Sequence, residues 1–127
     1  MPERKSLYDQ YPDYRVDAKP HGGRVTARIG DTVIAETDHA LRVEESNHTP
    51  VMYFPRADVH FDAATRTDHE TFCPFKGEAS YWSFEVGGQT LENVAWSYET
   101  PFEQVEAITD YVAFYPDRVT LEGADAN

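Results

Sequence analysis

Residues 79–98 read Ala79-Ser-Tyr-Trp-Ser-Phe-Glu-Val-Gly-Gly-Gln-Thr-Leu-Glu-Asn-Val-Ala-Trp-Ser-Tyr98. From Ala79 to Val86 the run is rich in aromatic side chains, which suit a pleated, half-buried surface, and it predicts a strand. Gly87-Gly88 then supplies the positive φ angles of a two-residue hairpin turn. Leu91 and Val94 to Tyr98 bring the chain back as a partner strand. The same grammar governs the chain upstream. Arg24-Val-Thr-Ala-Arg-Ile29 alternates polar and apolar, Gly30-Asp31 reads as a type II′ turn, and Thr32 to Thr37 returns. Further short strands are expected at Leu41–Glu44, Val51–Phe54, Asp58–Phe61, Tyr111–Tyr115 and Val119–Leu121. Many short strands with frequent turn signals predict a mainly β, single-domain antiparallel barrel or sandwich.

One short helix is expected near residues 101–109. Thr100 is placed to cap it, Pro101 fits its first position, Glu103 suits a capping box, and Phe102, Val105 and Ile108 give an apolar face. Residues 1–20 read as an N-terminal arm, 21–121 as the β domain and 122–127 as a polar tail. In the arm, Tyr8, Tyr11 and Tyr14 recur every third residue, but Pro12 breaks any helix. The arm is either a disordered tail or an extended strap whose tyrosines pack on the domain or on a second subunit, which makes a homo-oligomer a candidate assembly.

A chain of 127 residues holds one core, and at this length folding buries roughly two-thirds of the unfolded surface without a metal or disulfide. Lys and Arg number 11 against 23 Asp and Glu, a formal net charge of −12. That field repels phosphates, so neither nucleic acid nor an anionic membrane surface is an expected partner. Lysines are scarce (Lys5, Lys19 and Lys76 only); such an acid-rich, lysine-poor surface suits a salty medium that screens self-repulsion. The single cysteine, Cys73, excludes an internal disulfide and every multi-cysteine metal site. The opening residues have no apolar core segment, and no apolar run reaches spanning length, so a cytoplasmic location is expected.

Chemistry concentrates in Thr71-Phe-Cys-Pro-Phe-Lys-Gly-Glu-Ala-Ser-Tyr-Trp82. Pro74 and Gly77 bracket Lys76, giving the loop a fixed entry and a permissive exit. A lysine there either anchors an anion as a point charge or salt-bridges a nearby acid such as Glu78 or Asp58. Cys73 is either a small buried apolar residue or a thiol tuned by Lys76 or His69; Cys73 and Lys76 are thus the catalytic candidates should the protein be an enzyme. Trp96 and Tyr98 share one strand face, and Tyr81 lies on the preceding strand. Together with Tyr53 they either form core or wall a pocket for a flat ligand. Asp58 sits in the stretch Tyr53-Phe-Pro-Arg-Ala-Asp-Val59, as a turn acid or facing Lys76, and Glu44 is an alternative partner for that lysine.

Metal-ligand spacing is poor. His69 and Cys73 stand four apart and His60-Phe61-Asp62 puts two ligand types on one face, but no paired motif accompanies them, so no metal is expected. Ser46, Ser80, Ser83 and Ser97 lack a G-x-S-x-G setting, and neither a P-loop nor G-x-G-x-x-G is present. No cofactor is expected.

Four runs, Tyr53–Val59, Thr71–Tyr81, Ala95-Trp-Ser-Tyr98 and Tyr111-Val-Ala-Phe-Tyr115, resemble the small prokaryotic family known as domain of unknown function 427. The resemblance covers roughly residues 21–121. Cys73, Pro74, Lys76 and Gly77 match its Thr-x-Cys-Pro-(Tyr or Phe)-Lys-Gly pattern. Trp96 and Tyr98 match its Ala-Ala-Trp-x-Tyr pattern, from which Asn93-Val94-Ala95 departs slightly. The resemblance implies a compact, mainly β, tent-like domain. It also brings a nucleotidyltransferase-like label, for which this sequence offers plentiful acids but no phosphate loop of the Gly-Ser type.

Three functions are in contention. One is a domain binding a small anionic or flat ligand, with Lys76 as anchor, Tyr53, Tyr81, Trp96 and Tyr98 as walls, and Asp58 or Glu44 orienting the lysine. The second is an interaction module using the arm. The third is a small enzyme with Cys73 as nucleophile.

Overall fold

The computed structural model describes residues 10–46 and 48–123. Within them run ten strands: β1 (Val16–Pro20), β2 (Val25–Ile29), β3 (Thr32–Thr37), β4 (Leu41–Glu45), β5 (Val51–Tyr53), β6 (Ala64–Cys73), β7 (Gly77–Val86), β8 (Gln89–Ser97), β9 (Val112–Phe114) and β10 (Thr120–Glu122). They form three antiparallel sheets with orders β1-β4-β5, β10-β2-β3 and β6-β7-β8-β9. Phe54 and Val112 exchange both backbone hydrogen bonds at 2.7 Å, tying β5 to the free side of β9. The domain is mainly β and sandwich-like, and its sheets do not close into a barrel.

Where one core was expected from length, the period-two alternation of strands sorts the apolar side chains of this one domain into two clusters, one on each face of the β7-β8-β9 layer. In β7, Trp82 and Phe84 point to one face, whereas Ala79 and Tyr81 point to the other. In β5 and the residue after it, Met52 and Phe54 join the first set, and Val51 and Tyr53 the second. The first core is roofed by Val25, Ala27, Ile29, Ile34 and Ala35 of β2 and β3. There Phe114 meets Phe54 and Phe84 edge-to-face at 5.4 and 5.9 Å, contacts that add about 0.5–1.5 kcal/mol each beyond burial. The second core lies under Val43 of β4, with Val105 and Ile108 closing its end.

Turn chemistry sets the registers. Gly87 and Gly88 both have positive φ, +60° and +79°, the requirement of a type I′ turn, and Val86 pairs with Gln89. In the β2–β3 hairpin only Gly30 is positive, at +60°, which fits type II′. Asn93 carries φ +51° where β8 bulges; its N–H donates to Ser83 Oγ at 3.0 Å, and its Oδ1 accepts from Thr67 Oγ1 at 2.6 Å.

Several expectations need correction. The short helix expected near 101–109 is present at Glu103–Ile108, but as 3-10 structure kinked at Val105, and Phe102 rather than Thr100 stands at its start, with no side-chain cap. The reason is tertiary, since the Phe102 N–H donates to the Lys76 carbonyl at 3.1 Å and holds the entry extended. Asp58–Phe61 is not a strand; 3-10 turns at Arg56–Asp58 and Phe61–Ala63 flank a lone bridge from Val59 to Ala35. Val16–Pro20, inside the stretch read as an arm, is a strand paired with β4 along its whole length. β6 begins already at Ala64. It is an edge strand whose side chains are mostly exposed and polar, so it shows no apolar alternation to read. Tyr8 and residues 124–127 lie outside the described residues.

Candidate functional site

The second core is incomplete at one end, and the gap is a cavity of about 730 Å³. Its rim and walls come from six places in the chain: Tyr14, the end of β4, the segment from His48 to Tyr53, the β6–β7 loop, the aromatic face of β7 and β8, and Tyr115.

Lys76 occupies the turn between β6 and β7. Its N–H donates to the Cys73 carbonyl at 3.2 Å, closing the turn, while its own carbonyl accepts from Phe102. Gly77, next in line, has φ +114°, and a Cβ there would come within 3.4 Å of the Pro101 backbone. That is ordinary van der Waals contact, so glycine is needed here for its conformation. The loop is pinned on both sides and carries the lysine inward, so the whole residue is only 9% exposed.

The ammonium finds Glu45, the last residue of β4, whose Oε1 accepts from Lys76 Nζ. Glu45 Oε2 accepts from the Tyr14 hydroxyl, and Tyr14 in turn stacks on Phe75, with ring centroids 3.7 Å apart and planes 13° from parallel. His48 Nε2 stands 3.8 Å from the same carboxylate at the exposed rim. The Lys76 ammonium also lies 5.8 Å from the Tyr98 ring centroid, within cation–π reach.

Flat side chains make the rest of the wall. Trp96 donates its indole N–H to the Tyr53 hydroxyl at 3.3 Å and sits tilted against Tyr115 with centroids 4.5 Å apart. The Tyr81 hydroxyl is 2.9 Å from Thr71 Oγ1 and 3.3 Å from the Tyr115 hydroxyl. Tyr98 is buried along the same wall. Burial pushes the phenols of Tyr53 and Tyr98 upward from the usual tyrosine range, with the negative charge of Glu45 adding to it. The Tyr115 phenol is pushed up to about 12, first by burial and then by its hydrogen bond with Tyr81.

Tyr53, Cys73, Lys76, Tyr81, Trp96 and Tyr98 thus converge on one cavity. Glu44 and Asp58 do not join them. Glu44 points the other way along β4 and pairs with Lys19 at 3.1 Å and Arg42 at 3.2 Å. Asp58 accepts from Thr37 Oγ1 at 2.6 Å and fastens its own turn to the end of β3. Trp82 also lies elsewhere, on the opposite face, beneath the guanidinium groups of Arg56 and Arg66 at 5.0 and 5.2 Å. Sequence reasoning missed Glu45, Tyr14 and Tyr115. Tyr14 had a signal in the spaced tyrosines of the arm; Glu45 was one residue from the acid chosen.

A family model described as a domain of unknown function (DUF427), labelled NTP_transf_9, matches residues 17–125. The chain belongs to the DUF427 family. No curated protein matches it in sequence. Among the described residues of this DUF427 domain, no three His, Cys, Asp or Glu side chains are grouped to hold a metal ion. None of its described helices is long and apolar enough to cross a membrane.

Proposed function

We propose that this DUF427 domain binds a small, flat ligand, with a charged or hydrogen-bonding edge set against Lys76. The observation that carries this reading is an amine held within a cavity of about 730 Å³ whose walls are tyrosine and tryptophan rings from separate strands. A cavity of this size matches ordinary small-molecule sites, which run roughly 300–1,000 Å³ and combine apolar walls with a few placed polar groups. Rings offer area at small cost in side-chain entropy, and the phenol and indole groups offer hydrogen bonds at their rims.

A thermal-shift screen of nucleotides, sugars and small carboxylic acids tests it. A ligand at a hundredfold its Kd stabilises the native state by about 2.7 kcal/mol, which is a shift of several degrees for a domain of this size. The expected result is a stabilising hit that is lost in Lys76→Ala. A broad panel without a single hit would overturn the reading.

A further inference from the structure

Resting on that reading, we infer that the ligand is a zwitterion: a flat molecule that carries both a cationic nitrogen and a carboxylate or phosphate. The cavity wall does not offer a free cation. It offers a matched pair, Lys76 and Glu45, with both side chains only 11% exposed. A largely buried pair tolerates the loss of neither partner, because the charge left behind is uncompensated.

This sorts ligands by charge. A simple anion that reaches Lys76 must share the ammonium with Glu45 or displace it, and the displaced carboxylate then faces the incoming anion. The surrounding field opposes that anion further, since the chain carries a net charge of −12. A simple cation meets the mirror problem, since taking Glu45 strands Lys76. A zwitterion inserted between the two replaces one internal pair with two: its anionic group accepts from Lys76, and its cationic nitrogen donates to Glu45. Every charge keeps a partner.

The walls suit the cationic end as well. The Tyr98 ring already lies 5.8 Å from the lysine ammonium, so an aromatic face here is placed to meet a positive nitrogen. The Trp96 and Tyr115 rings leave a flat surface for the ligand body.

Two matched sets of probes test the inference by calorimetry at neutral pH: L-phenylalanine, phenethylamine and 3-phenylpropanoate; and L-tryptophan, tryptamine and indole-3-propanoate. Within each set the ring is constant and only the charges change. In at least one set the amino acid should bind about tenfold or more tighter than either singly charged analogue. Glu45→Gln should erase its advantage over the propanoate, and Lys76→Met its advantage over the amine. The reversed pair, Glu45→Lys with Lys76→Glu, retains one charge of each sign and should keep the preference, which separates charge pairing from damage to the fold. A propanoate that binds as tightly as its amino acid overturns the inference and leaves the flat-ligand reading intact. The same holds if all six probes fail while a nucleotide or sugar shifts the melting temperature. If nothing binds, both fall.

Discussion

The Lys76 ammonium reaches the Glu45 carboxylate across the cavity wall, while Glu44, one residue earlier on the same strand, holds Lys19 in solvent. Adjacent residues of a strand face opposite ways, so β4 presents one acid to the cavity and the other to water. The two pairs should differ sharply in worth. Glu45→Gln leaves a mostly buried ammonium without its counter-charge and should cost about 3 kcal/mol in urea unfolding. Glu44→Gln should cost under about 1 kcal/mol, as exposed pairs do. Equal effects at the two positions would show that the inner pair is as well solvated as the outer.

The Lys76 loop depends on Gly77. Gly77→Ala forces a Cβ onto a φ of +114°. A loss of about 1–3 kcal/mol is expected. Trp96 fluorescence should change with it, because the loop forms one side of the cavity that Trp96 lines. Unfolding midpoints that match the parent would rule out the positive-φ requirement.

Tyrosine ionisation gives a pH signature. The phenols of Tyr53, Tyr98 and Tyr115 ionise above the ordinary value of 10.0 in the folded state, chiefly because burial disfavours the phenolate. A raised folded-state value means that their contribution is complete below pH 10 and drains away as pH climbs through the folded-state values, which for Tyr115 is about 12. An ultraviolet titration of the native protein should therefore show tyrosines that resist ionisation until the chain unfolds. Simple, complete ionisation centred near pH 10 with the fold intact would contradict the buried placement.

Acid acts elsewhere. Glu99 accepts from Arg66 at 2.8 and 3.0 Å, and this hydrogen bonding holds its carboxyl below the ordinary 4.5. Its contribution is present above that ordinary value and is lost as pH falls through the lower folded-state one. Because the network is partly solvated, the amount is at most about 1 kcal/mol. Glu99→Gln should flatten the stability profile below pH 4.5 by that amount. An unchanged acid limb would mean that the arginines contribute nothing there.

Much of the cavity was legible because strand parity is local. Trp96 and Tyr98 share a face by counting, and the Cys73–Gly77 loop announces itself through Pro74 and Gly77. Of the two readings of Asp58, the turn acid holds, in the 3-10 turn that follows Pro55 and that Thr37 fastens; what misled was the alternation of Asp58–Phe61, which reads as a strand. The short helix near 101–109 was legible, but not its start: Thr100, Pro101 and Glu103 spell an earlier one, whereas the Lys76 carbonyl, distant in sequence, takes the Phe102 N–H and delays it.

By itself, the sequence determined the mainly β class, the Gly87-Gly88 and Gly30-Asp31 hairpins, and the set of rings available to a pocket. These rest on backbone φ requirements and on side-chain alternation, which neighbouring residues settle among themselves. Tertiary structure alone decided that Glu45 rather than Glu44 meets Lys76, that Val16–Pro20 joins a sheet, and that Tyr14 closes the rim over Phe75. Which face of β4 turns inward depends on which sheet covers it, and residues far apart in the chain make that choice together.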